Sequence, residues 1–244
     1  MPELLPSFES VLLRRFGALA PLEEGDQTFV AKIAARARDS HRADARLWND
    51  LNPDRPPTII VSGWACVAQE LTSGARQILE ILLPGDIIGF CARPRLAPSP
   101  MTLALTPLRT VTASELTAVW NEPQRTPRMA ERLEAVLAEQ HFLLSRQVVR
   151  LGRTSAQGKV AHLLSELHWR LHSRGLADET SLPMPLTQEQ IADTLGLSVV
   201  HVNRTLQQLR RKRLIVQQKR HMQLPDLGTI HAIGEFTPPR SGHP

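Results

Sequence analysis

LTQEQIADTLGLSVVHVNRTLQQLRRKRL, residues 186–214, decides the reading of this chain. Two short helices joined by a tight turn fit it. Thr187 is placed to cap the first, and Gln190, three residues on, closes a capping box. Ile191 and Leu195 then share a face, and Ala192 is small enough for a close helix crossing. Gly196 supplies the conformation that a sharp turn demands. Ser198 is placed to cap the second helix, whose Val202, Leu206 and Leu209 fall on one face. This layout predicts a helix-turn-helix.

Charge separates that reading from an ordinary helical hairpin. No acidic residue lies between Thr194 and Pro225, whereas Arg204, Arg210, Arg211, Lys212, Arg213, Lys219 and Arg220 all fall inside. A solvated helix surface normally mixes signs, because unlike pairs stabilise it and like pairs repel. A one-sign stretch is favourable only beside a polyanion, and double-stranded DNA is the expected partner. The formal net charge of +5 over 244 residues is thus concentrated near one end.

Composition bounds the rest. The chain is long enough for two modest domains. No apolar run reaches membrane-spanning length, so no membrane partner is expected. The N-terminus lacks the basic start and apolar block of a secretory signal. Cys66 and Cys91 are the only cysteines and have no metal-ligand spacing, which fits a reducing cytoplasm. Paired carboxylates with supporting residues, a nucleophile elbow and a phosphate-binding glycine loop are all missing, so no enzyme is expected.

Organisation follows from the apolar periods. Leu12, Leu13 and Phe16, then Phe29, Ile33 and Ala34, give two helical stripes in the first 40 residues. Thr58–Val61, Trp64–Leu71, Arg76–Leu83, Asp86–Phe90, Thr102–Ala104 and Arg109–Ala113 read as short strands of an antiparallel sheet or roll, with Thr72-Ser73-Gly74 as a hairpin tip. After Pro127 a helix of about 24 residues, roughly 36 Å, is expected. Its stripe is Leu133, Leu137, Gln140, Leu144, Val148 and Leu151, together with Val136 and Gln147. Packing against the roll is one use for that stripe; a symmetric homodimer is preferred, because helix-turn-helix proteins usually read two half-sites. Gly152 is expected to be a hinge, with Thr154 or Ser155 capping a helix whose face is Val160, Leu163, Leu164, Leu167 and Leu171. Ile215-Val216 and Met222–Leu224, around a Gln-Gln-Lys-Arg-His turn, read as a two-stranded wing. The expected domains are a sensor-like β-roll with N-terminal helices at 1–126, a dimerisation helix at 127–152 and a winged helix-turn-helix at 153–230. A disordered tail is expected at 231–244.

With Val202, Leu206 and Leu209 facing the core, Val200, Arg204, Gln207 and Arg211 point away, flanked by Val199, His201 and Asn203. Arg204 is the candidate for a bidentate contact with guanine. Asn203 would pair with adenine or hold a phosphate; His201 would touch a phosphate or stay solvated. Gln188, Ser198, Lys219 and Arg220 would contact the backbone and set orientation.

On Gly63–Val67, LLPGDIIG at 82–89, GRTSAQGKVAHLL at 152–164 and the helix-turn-helix, the chain resembles the Crp/Fnr family of bacterial transcription regulators over about residues 58–224. The resemblance implies an α+β chain: an N-terminal antiparallel, cyclic-nucleotide-binding-like β-roll, a long dimerisation helix and a C-terminal winged helix-turn-helix. It implies an arginine reader at Arg204, a homodimer on a pseudo-palindromic promoter site, and RNA polymerase as a partner. Val200 departs from the family's common glutamate; it would cover a thymine methyl or play no part in readout. Cyclic-AMP-binding members carry a glutamate where this chain has Phe90, and an arginine near Pro100-Met101. Arg93 and Arg95 are out of register. An iron–sulfur cluster would need an N-terminal cysteine set that is missing. The resemblance therefore points to no cofactor and argues against cyclic AMP; His41 and His141 leave haem open. The competing reading is a small-molecule-binding sensor module whose basic C-terminal region is incidental.

Overall fold

The computed structural model describes residues 6–18, 20–48, 56–89 and 100–239. Two helices come first, α1 (Phe8–Phe16) and α2 (Glu24–Ala34). Ser7 caps α1 by accepting from the Ser10 amide. Among the described residues eight strands follow: β1 (Asp39–His41), β2 (Arg46–Trp48), β3 (Thr58–Ser62), β4 (Ala65–Glu70), β5 (Arg76–Leu82), β6 (Ile87–Ile88), β7 (Met101–Ala104) and β8 (Leu108–Thr112). They form two antiparallel four-stranded sheets, ordered β1-β8-β3-β6 and β2-β7-β4-β5. Ile60, Ala65, Leu82, Ile88, Ala104 and Leu108 make a buried cluster within this roll. Gly74, at φ +82°, sits in the expected tip between β4 and β5. β1 and β2 were not expected, because the three-residue runs Asp39–His41 and Arg46–Trp48 are too short to show alternation.

α3 (Ser114–Asn121) and a single 3₁₀ turn, neither expected, lead into α4 (Pro127–Arg153), 27 residues and about 40 Å long. Pro127 opens α4, where a missing N–H costs nothing. Gly152 is not a hinge. It lies inside α4, and the break comes at Thr154, whose extended backbone (φ −102°, ψ 144°) hands over to Ser155 as cap of α5 (Ala156–Ser173). Val160, Leu163, Leu164, Leu167 and Leu171 are buried as expected.

β9 (Ser181–Pro183), α6 (Gln188–Leu195), α7 (Val199–Arg211), β10 (Val216–Gln218), β11 (His221–Gln223) and α8 (Leu227–Gly234) complete the chain. The wing has three strands, ordered β10-β11-β9, because β9 pairs with β11. The tail expectation is corrected too. Asp226 caps α8, and beyond it Phe236 is buried against His162, His231 and Trp169. A boundary at 230 would cut through α8. Residues 240–244 lie outside the described ones.

A buried ionic chain ties the roll to α5. Asp86, fully buried in the Pro84-Gly85-Asp86 turn before β6, accepts from Arg170 at 2.6 Å and Arg174 at 2.7 Å, with Arg15 at 3.8 Å. Burial alone would raise this carboxyl's pKa; the three arginines reverse that and hold it well below the usual range. Glu166 of α5 joins Arg150 of α4 at 2.9 Å. Gln147 then donates to the carbonyls of Ile78 and Thr194, at 3.2 and 2.6 Å. Arg76 of β5 pairs with Asp193 of α6 at 2.6 Å, and Gln77 donates to the Asp193 carbonyl at 2.7 Å.

Candidate nucleic-acid interface

The 186–214 stretch folds as its spacing requires. Thr187 accepts from the Gln190 amide at 3.1 Å while the Gln190 side chain accepts from the Thr187 amide at 3.0 Å, a complete capping box. Gly196 is left-handed at φ +60°, ψ 41°. Ser198 caps α7 through the His201 amide at 3.2 Å. Val202 and Leu209 have no exposed surface and Leu206 has 2%, so one face of α7 is fixed in the core.

That anchoring sets what the other face presents. Val200 is 79% exposed and Val199 44%. Arg204, Gln207 and Arg211 are exposed along the same stripe; His201 and Asn203 are half-buried at its edge. Asn203 donates to Gln188 Oε1 at 2.9 Å, and Gln207 donates to Asn203 Oδ1 at 2.8 Å. The wing stands beside this surface, since Arg210 donates to Gln217 Oε1 at 3.0 Å. Lys219 and Arg220 form the two-residue tip between Gln218 and His221, both exposed, with Lys219 left-handed at φ +55°.

The expected dimerisation stripe on α4 divides. Leu133 is 1% exposed and belongs to the apolar core with Phe8, Leu12 and Val111, so it offers no free face. Leu137 is partly buried against that same core. Gln140 donates to the Ile87 carbonyl at 3.2 Å and to Glu80 at 3.4 Å. The intrachain alternative therefore holds for this half of the stripe, because the roll and N-terminal helices lie against the first turns of α4. Leu144 and Val148 remain open, 43% and 65% exposed, with Leu151 partly so. Phe142 and Val149 add exposed apolar surface that the stripe did not include.

Phe90, Cys91, Arg93 and Arg95 lie outside the described residues. Pro100 is exposed, and Met101 opens β7. His41 shares a hydrogen bond with Thr110 Oγ1 at 3.0 Å, and His141 is exposed on α4. No helix among the described residues is long and apolar enough to cross a membrane.

A β-roll, a long helix and a winged helix-turn-helix with a basic outward face define a DNA-binding regulator. Comparison with known proteins gives the family. Residues 158–233 match the family model described as a Crp-like helix-turn-helix domain, which reaches into α8. The chain is 32% identical over 169 residues to the nitrogen fixation regulation protein FixK of Bradyrhizobium diazoefficiens, covering 67% of each. It is 29% identical over 178 residues to the transcriptional activator protein FnrL of Cereibacter sphaeroides, covering 70% of this chain and 69% of the relative. The solved structure of FixK2 from Bradyrhizobium japonicum superposes with a TM-score of 0.69 at 24% identity, over 81% of this chain and 96% of the other. The chain belongs to the Crp/Fnr family of transcription regulators.

Proposed function

We propose that this protein is a homodimeric, sequence-specific transcription regulator that binds a pseudo-palindromic promoter site and acts with RNA polymerase in the cytoplasm. The observation that carries this is the outward stripe Val200, Arg204, Gln207 and Arg211, held by a buried opposite face within a region free of acidic residues. In the helix-turn-helix mode such a stripe enters the major groove. Arg204 then meets guanine O6 and N7, and Val200 lies against a thymine methyl. Val199, His201 and Ser198 border the phosphates, and Gln188, Lys219 and Arg220 hold the backbone on either side.

Leu144, Val148 and Leu151 give the homodimer its surface, since an exposed apolar stripe on a helix of this length is stabilised by covering it with a second copy. Paired half-sites would then lie about one helical turn apart. We infer further that cyclic AMP is not the effector, because the acceptor and cation positions hold Phe90 and Pro100-Met101. An unpaired phosphate there would cost several kcal/mol. No iron–sulfur cluster or haem role is assigned.

Selection of duplexes from a random pool by purified protein tests the reading. A two-fold symmetric consensus bound at one dimer per duplex is expected. Absence of enrichment, or tight binding of single half-sites by a monomer, would overturn it.

A further inference from the structure

Asn203 and Gln207, two amide side chains of α7, are bonded to each other, and exposure sets them apart. Asparagine is a natural adenine reader, using its oxygen and one N–H together on N6 and N7. Here each end of the Asn203 amide already holds one intramolecular partner, so a bidentate base contact would have to share both atoms or break these bonds. Its nitrogen donates to Gln188 Oε1 at 2.9 Å, and its oxygen accepts from Gln207 Nε2 at 2.8 Å. Reversing all three amides would leave both ends engaged in the same way. Asn203 is also half-buried at the edge of the stripe, whereas Gln207 is exposed on it, seven residues after Val200. Seven residues of helix advance about 10 Å, roughly three base-pair steps, so Val200, Arg204 and Gln207 fall along one groove-facing line.

We propose that Asn203 reads no base: it is a positioning residue that bridges Gln188 of α6 to Gln207 of α7, and Gln207 reads an adenine next to the guanine met by Arg204. With one N–H held by Asn203, Gln207 keeps its oxygen and its second N–H, the pair that adenine requires. The held amide loses fewer rotamers on binding than a free glutamine would. At the other end, the Gln188 amide N–H groups are turned to a phosphate at the start of α6, which locks the register of the two helices on the duplex.

This assignment rests on the DNA reading above, and the test separates the two. Sites are selected from random duplex for the wild type and for Q207A, N203A, N203D and the double alanine variant. Q207A should lose about tenfold discrimination at one adenine. N203A should blur that same position, and the double variant should be no worse than Q207A. N203D keeps an acceptor for Gln207 but has no N–H for adenine N7; it should retain the adenine preference while binding all duplexes more weakly. A change at a different base pair in N203A, or loss of the adenine in N203D with Gln207 intact, would overturn the assignment and make Asn203 the reader. A wild type that selects no consensus would overturn this assignment and the DNA reading together.

Discussion

Arg204 and Lys219 are both exposed cations, yet they differ in kind. Arg204 projects from the middle of a helix whose opposite face is anchored, so its planar fork is aimed. Lys219 sits at a two-residue hairpin tip, where a flexible ammonium meets any phosphate alike. R204A should therefore cost about 1–3 kcal/mol on the selected site and relax discrimination at one guanine. K219A should weaken all duplexes equally and lower the salt slope by about one unit. Titrations on specific and random DNA at several salt concentrations check both; equal losses on both DNAs would merge the two roles. Arg213 gives a test of backbone rather than side chain. It is left-handed at φ +56°, in the C-terminal turn of α7 where Leu214 donates to the Leu209 carbonyl at 3.0 Å and Arg213 to the Arg210 carbonyl at 2.9 Å. This Schellman arrangement favours glycine. R213G should raise stability by about 1 kcal/mol in thermal melts, while removing one cation from the basic region.

Among the elements, the turn before β6 and α5 share a cluster of buried charge. Asp86 is met by Arg170 and Arg174 of α5, and all three are essentially without exposed surface. Removing the carboxylate strands two buried guanidinium groups, so D86N should destabilise by about 3–5 kcal/mol, read as a lowered midpoint in chemical denaturation. A change under 1 kcal/mol would mean that water already reaches the arginines. The break between the Arg76–Leu83 and Asp86–Phe90 strands was legible in the sequence, as were both helices of the helix-turn-helix, because caps, glycine and period all act within a few residues. The ionic chain through Asp86 was not, since its partners lie 84 and 88 positions away. The same limit explains β9, which exists because β11 pairs with it, and Phe236, whose burial depends on His162 far upstream. Likewise, the α4 stripe showed which residues were apolar but not that the N-terminal helices would cover Leu133. Of the proposed DNA surface, the outward direction of Val200, Arg204, Gln207 and Arg211 was readable from rotation alone. The amide bridge from Gln188 through Asn203 was not, because it joins two helices.

At the scale of the whole molecule, β5 is where the roll meets the helix-turn-helix, and one residue there is expected to make that junction sensitive to pH. Glu80 lies on β5 beside the Asp86 turn, with Arg170 and Glu166 of α5 on one side and Gln140 of α4 within 3.4 Å; Arg150 lines the same small gap. Burial, reinforced by the charge of Asp86, pushes the Glu80 carboxyl up to about 7 against the partial opposition of Arg170 and the Gln140 hydrogen bond. The sign follows from linkage. An unfolded glutamate loses its proton near 4.5, whereas the folded one keeps it to about 7. The folded state thus holds more protons between those values, and stability falls as pH rises through that window, then levels off above it. His162, His168 and His231 act in the other direction. Burial lowers their pKa values, so their contribution is lost as pH falls below the ordinary histidine value of 6.5. Comparing the wild type with E80Q isolates the first effect, because the histidines are common to both. Glutamine imitates the protonated acid at every pH. At pH 5, where the folded wild type is itself protonated at Glu80, E80Q should be the closest in stability to the wild type. By pH 8 it should melt about 5–10 °C higher, since it avoids placing a charge in the junction. Proteolysis should localise the difference, with cleavage between α4 and α5 rising toward pH 8 in the wild type but not in E80Q. Parallel melting curves across the range would show that Glu80 titrates as an ordinary carboxylate, and that the roll and the DNA-binding unit are joined without regard to pH.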